Sequence, residues 1–161
     1  MKQTIYIETT VFSYLTARPS RNLIASAWQQ LTADWWDFHK NRFELYISEL
    51  VVAESERGDP KAAKKRLTQL QGIPELSITE EIILFAEKLL EAGALPRKAA
   101  DDAMHIAIAT VHNIDYLLTW NCRHIDNAEA KPLIRKICED AGFSYPEICT
   151  PQELMGETDN E

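Results

Sequence analysis

The chain has 161 residues, 25 of them acidic against 17 basic, a formal charge of −8, and 45% hydrophobic and 26% charged content. Those figures describe one ordinary globular domain, exclude a disordered chain, and leave no apolar run near the roughly 20 residues a membrane-spanning helix needs. Eight surplus acids also exclude a protein that holds nucleic acid by bulk positive charge alone, since that binding rests on neutralising phosphates.

Residues 1–154 are expected to form a single domain, followed by an acidic tail at 155–161; from Glu153 to the end there are four acids and no base. The first eight residues carry one base and a three-residue apolar run, too short for a secretion signal, so the expected location is the cytoplasm. Cys122, Cys138 and Cys149 are spaced for neither a disulfide framework nor a zinc ribbon and read as reduced thiols.

In chain order, Ile5-Tyr6-Ile7 reads as a first strand. Asn22 caps a helix in which Ile24, Trp28, Leu31, Trp35 and Phe38 recur at spacings of 4, 3, 4 and 3, forming one apolar stripe. The adjacent Trp35 and Trp36 cannot share one interior, so one of them belongs at the surface or an interface. Phe43 to Ile47 is a second strand, followed by a helix from about Ser48 to Arg57 that Gly58 and Pro60 stop. Another helix starts at Pro60. Leu76 to Ile78 is a short third strand, Thr79 opens a helix ended by Gly93 and Pro96, and an almost wholly apolar helix runs from Ala99 to Val111. Asp115 to Thr119 is the fourth strand, 128–141 the last helix, and Glu147 to Cys149 a weak fifth strand. Short β-rich runs alternating with helices imply an α/β fold with a three-layer α/β/α arrangement around a parallel sheet of four to five strands.

Ligands of such sheets bind beyond the carboxyl ends of the strands. Glu8-Thr9-Thr10 follows the first strand, Ser48 and then Glu54 the second, and Thr119-Trp120-Asn121 the fourth, while Asp101 and Asp102 open the apolar helix. Taken singly, Asp101 and Asp102 could serve only the helix dipole, worth about 0.3 to 1 kcal/mol, and Glu54 could be one more solvated acid. Glu8 is different, because a carboxylate closing a buried strand is costly without donors or a cation. Carboxylates, hydroxyls and an amide are hard oxygen ligands that suit Mg²⁺ or Mn²⁺. His105 and His112 read as structural histidines and His39 as a solvated helix end.

The string Ile5 to Phe12 resembles the opening of PIN domains, Ile47 to Glu54 their second motif, and Asp102-Ala103-Met104-His105-Ile106-Ala107 their Asp-led helix. Tyr116 to Asn121 is similar to the fourth motif, and Thr150 to Leu154 to the close of the domain. The resemblance implies a metal-dependent endoribonuclease of the VapC type, the toxin of a toxin-antitoxin pair, acting on RNA, with an antitoxin protein as partner and a homodimer as assembly. It also assigns Glu8, Glu54 and Asp102 as metal ligands, with Thr10 and Asn121 completing the catalytic set. Asp101, one position earlier, can compensate for the charge that Asn121 lacks where the family often has Asp. Glu8 likewise departs from the usual Asp, lengthening the arm by one methylene. The expected chemistry is hydrolysis of a phosphodiester with Asp101 or Glu8 orienting the attacking water.

From Arg57 to Arg66 there are five bases and one acid. Lys61, Lys64 and Lys65 share a helix face and, with Arg123 and His124 beside Asn121, are the candidate RNA contacts. Trp120 either stacks on a base or belongs to the core. Two rivals stay open: a catalytically weak PIN-like module that binds RNA or protein, motivated by Glu8 and Asn121, and a nucleotide binder, weakened because no Gly-rich phosphate loop follows the first strand.

Overall fold

The computed structural model describes residues 1–156. Its centre is a five-stranded, all-parallel sheet in the order β3-β2-β1-β4-β5, made of β1 (Thr4–Ile7), β2 (Glu44–Ser48), β3 (Glu75–Leu76), β4 (Tyr116–Leu118) and β5 (Glu147–Cys149). Ile5 stands opposite Leu45 on one side and Tyr116 on the other, so β1 is the middle strand. Successive strand residues point to opposite faces, and Ile5, Tyr6 and Ile7 are all fully buried, so both faces of the sheet are covered. The covering helices are α1 (Thr9–Thr16), α2 (Leu23–Phe38), α3 (Glu49–Ser55), α4 (Pro60–Leu70), α5 (Glu80–Glu91), α6 (Ala100–Val111) and α7 (Lys131–Asp140). Helix α5 packs along α6, and α1 packs against α2, α3 and α4.

The local signals explain the ends. Asn22, Asp59 and Thr79 cap α2, α4 and α5 with side-chain oxygens that accept from backbone N–H groups three residues on. Gly58 adopts a φ of +86°, which lets the chain leave α3 and enter α4.

Four features differ from the sequence expectation. Helix α1 is hidden in the sequence, because Thr9, Thr10, Val11 and Phe12 favour strands; the Glu8 carboxylate, accepting from Thr10 N, caps the helix and overrides that preference. A 3-10 turn at Arg97–Ala99 precedes α6, and α7 begins at Lys131 rather than 128. The α2 stripe is buried only in its middle: Trp35 lies in the core, whereas Ile24 is 65% and Phe38 76% exposed. Trp36 is half-buried, edge-on to Phe12 and covered by Lys40. Glu153 forms a capping box with Thr150 in the turn Pro151–Leu154. The remainder of the expected acidic tail, residues 157–161, lies outside the described residues. Among the described residues no helix is long and apolar enough to cross a membrane.

Truncating Trp35 to Ala should cost about 3–5 kcal/mol of unfolding free energy, whereas Phe38→Ser should change it by no more than about 0.5 kcal/mol. Urea denaturation of the two variants measures the difference, and equal losses would contradict the burial of α2.

Candidate metal centre

The chain runs from β1 outward through β2 to β3, then returns to place β4 on the other side of β1. The gap between the carboxyl ends of β1 and β4 is therefore a switch point, where neighbouring connections leave in opposite directions and a crevice opens. Glu8 ends β1 at this point, only 3% exposed. Its Oε2 accepts from the backbone N–H of Thr10 (3.1 Å), from the Thr10 hydroxyl, and from the Thr119 hydroxyl beyond β4 (2.8 Å). Burial pushes the Glu8 carboxyl above the usual range, and the His105 charge and these hydroxyls oppose that shift.

Glu54 reaches the same place from α3. Its Oε1 accepts from Thr9 Oγ1 at 2.7 Å and from His105 Nε2 at 2.5 Å. Partial burial alone would raise its pKa, but the hydrogen bonds from His105 and Thr9 and the Arg57 charge outweigh it and hold the carboxyl below its ordinary value. The His105 ring is fully buried, which lowers its pKa, yet the Glu54 hydrogen bond and the Glu8 charge more than offset this and leave it raised. Its Nδ1 meets the Tyr6 hydroxyl at 2.7 Å, and that hydroxyl meets Ser48 Oγ at 2.8 Å. Glu8, Glu54 and His105 each offer a ligand-capable atom within 4.8 Å of the other two.

The two glutamates share one property. Among the described residues no hydrogen bond reaches Oε1 of Glu8 or Oε2 of Glu54, and neither atom is among the buried side-chain atoms without a partner, so each carboxylate keeps one free oxygen that is not wholly enclosed. Carboxylates that each keep a free oxygen suit a hard divalent cation, so the residues present fit one.

Asp102 stands apart from this tight group. With Glu54, Asp101 and Lys98 it lines a cleft of about 340 Å³, and its Oδ2 accepts from His124 Nδ1 at 3.1 Å. Asp101 lies at the mouth, 3.6 Å from Arg57, with both side chains more than half exposed. The side-chain oxygen of Asn121 accepts from His124 N (3.1 Å), which ties down the turn after β4. Thr10 donates to Glu8 and accepts from Trp120 N. Trp120 itself is core: 4% exposed, stacked on Trp28 with centroids 4.6 Å apart, its ring N–H on Thr32, and so not free to stack on a base. Arg123 is exposed nearby. Lys61 and Lys65 line a larger groove between α1 and α4, of about 810 Å³, and Lys64 lies outside it.

Sequence reasoning missed Thr9, Thr119, Tyr6 and His105 as site residues. A signal for His105 existed: it follows Asp102 by three positions on an apolar helix, which puts both on one face. His112, in contrast, is structural as expected, its Nε2 on Ser77 O at 2.8 Å.

An acidic cluster at the switch point of a parallel α/β sheet defines a class of site able to take a divalent metal. The sequence matches the PIN domain over residues 5–130, and the chain belongs to that family. Its fold is shared with a chain from the crystal structure of VapBC2 from Rickettsia felis bound to a DNA fragment from their promoter, with 13% identity, a TM-score of 0.60, and coverage of 92% of this chain and 98% of that one. No curated protein matches the chain.

Replacing Thr119 by Val removes a donor to Glu8 and the acceptor of Asn121 N, 2.9 Å away. The variant should lose about 1–3 kcal/mol of stability, and Thr119→Ser should recover most of it. Denaturation midpoints in chelating buffer provide the measurement.

Proposed function

We propose that this PIN domain is an endoribonuclease dependent on Mg²⁺ or Mn²⁺, hydrolysing RNA phosphodiester bonds as the toxin of a type II toxin-antitoxin pair in the cytoplasm. The observation that carries the reading is the convergence of Glu8 and Glu54, with Asp102 lining the same cleft as Glu54. These three residues would hold the cation, which when bound lowers the pKa of a coordinated water and stabilises charge on the phosphoryl oxygens.

The chain's own residues supply the rest. Thr10 and Thr119 hold Glu8 against rotation, Thr9 and His105 hold Glu54, and His124 holds Asp102. Asp101, at the mouth and joined to Arg57 only by an exposed ion pair, is placed to orient a water or accept its proton, since such pairs are worth little and part readily. Asn121 positions the His124 segment rather than ionising.

The groove between α1 and α4 supports an RNA path into this centre. It carries Arg18, Lys61, Lys65 and Arg66 against the single acid Asp59, whose carboxylate is engaged in capping α4. Helix α1 leads from Thr9 at the site to Thr16 in the groove, about 10 Å at 1.5 Å per residue. A strand lying there would bring successive phosphates from cations to the acidic pocket. Arg123 and Lys64 are further candidates for contact with the RNA.

The Rickettsia felis neighbour is a VapBC2 complex, which supports an antitoxin protein as partner. Exposed Leu23, Ile24 and Phe38 on α2 provide apolar surface for a protein partner, and a homodimer belongs to the same proposal. A second reading, a PIN-like module with little catalysis, draws on the neutral Asn121 and its engaged side-chain oxygen.

Purified protein incubated with structured RNAs and Mg²⁺ or Mn²⁺ should cleave, and Asp102→Asn should lower the rate by about 10²- to 10³-fold. Equal cleavage by both proteins would sink the assignment to these residues; no cleavage by either on several RNAs would favour the binding module. Replacing Lys61 and Lys65 together by Ala should weaken RNA binding and lower the salt slope by about 1 for each phosphate no longer neutralised. Filter binding across a salt series reads that slope.

A further inference from the structure

His105 lies within ligand distance of both glutamates, which invites its assignment as a third metal ligand. Its hydrogen bonds contradict that assignment. A metal-binding carboxylate can only accept, and Oε1 already accepts from Thr9, so Nε2 carries the hydrogen that bridges the 2.5 Å to Oε1. The other nitrogen faces the Tyr6 hydroxyl at 2.7 Å, which Ser48 holds in turn at 2.8 Å. Both nitrogens are engaged, and the ring has no exposed surface.

We infer that His105 is a positioning residue for Glu54 rather than a metal ligand, and that the shell Thr9, His105, Tyr6 and Ser48 makes Glu54 a one-oxygen donor. The inference rests on the proposal above that Glu54 and Glu8 are metal ligands. With Thr9 and His105 both on Oε1, the carboxylate cannot turn to offer two oxygens without breaking a hydrogen bond. Glu8 is restrained the same way, with Thr10 and Thr119 on its Oε2. Single-oxygen carboxylates, Asp102 among them with its Oδ2 on His124, match a small octahedral cation that keeps several waters, whereas Ca²⁺ takes six to eight oxygens and readily uses both oxygens of a carboxylate. The shell therefore selects Mg²⁺ or Mn²⁺ against Ca²⁺. Tyr6, held by Ser48, fixes the orientation of the ring, as outer partners of metal sites commonly do for a ring beside the ion.

The test uses the full chain loaded with Mn²⁺. Pulsed electron paramagnetic resonance should show no directly coordinated imidazole nitrogen. Calorimetric titration with Mn²⁺ and with Ca²⁺ should find that His105→Ala binds Mn²⁺ about 10- to 100-fold more weakly and shifts its preference toward Ca²⁺. His105→Gln, whose amide N–H can still donate to Glu54, should recover most of the loss, and Tyr6→Phe should fall between Gln and Ala. A coordinated nitrogen signal, a Gln variant as poor as Ala, or an unchanged Mn²⁺ to Ca²⁺ preference would each overturn the inference while leaving the nuclease reading intact. Failure of the wild-type protein to bind Mn²⁺ would overturn both. Should the Ala variant not fold, judged by circular dichroism in chelator, the wild-type nitrogen measurement and the Gln variant still decide.

Discussion

Everything at the functional end of this molecule depends on one constraint, a carboxylate buried at the end of the central strand. Glu8 cannot be solvated there, so the chain surrounds one of its oxygens with donors from two directions, Thr10 from its own helix and Thr119 from beyond β4. Those donors do three things together. They cap α1, they join the ends of β1 and β4, and they fix which oxygen is left free. A buried charge whose partners are removed becomes a large local penalty, so the same bonds that shape the site also hold the sheet's central pair in place.

The site stores unfavourable electrostatics on purpose. Glu8 is raised by burial while Glu54 is lowered by its donors, two carboxyls a few ångströms apart with opposite shifts. Separating environments in this way is how a site keeps like charges together until a cation arrives. The overall charge of −8 looks different in this light. Setting aside four acids at the C-terminal end and the four of the centre, the remaining 17 acids balance 17 bases. The surplus is localised, and α4 carries cations to the groove beside it.

Much of the architecture was legible because periodicity and punctuation agree along this chain: Asn22, Asp59 and Thr79 cap helices where hydroxyl, amide or carboxylate side chains precede apolar periodicity. Helix α1 was hidden because its β-favouring residues are overruled by a tertiary requirement, the cap supplied by Glu8. Glu8, Glu54 and Asp102 stood out as acids in places that burial or spacing made notable. The shell did not, since Tyr6 reads as a strand residue and Thr9 and Thr119 as ordinary hydroxyls. Their roles come from pairings that span 45 to 111 positions, Thr9 with Glu54, Tyr6 with His105, and Thr119 with Glu8. Local pattern carries no trace of them. The α2 stripe misled in the opposite sense, because helical periodicity reports which residues share a side and not how far the neighbouring layer extends over it.

The bond between Thr119 and Glu8 joins residues 111 positions apart, and β4 pairs with β1 across the same span. During synthesis β1 is made before β4, so one of its edges stays bare and Glu8 lacks the Thr119 donor until 111 further residues have been added. Non-local closure of this kind is slow relative to helix formation. Helices α1 to α5 can therefore form around an incomplete crevice, and the centre closes only when β4 docks beside β1. A chain stalled before Thr119 would carry the acids without the bond that fixes Glu8, so the fold withholds the geometry of the centre until β4 is in place.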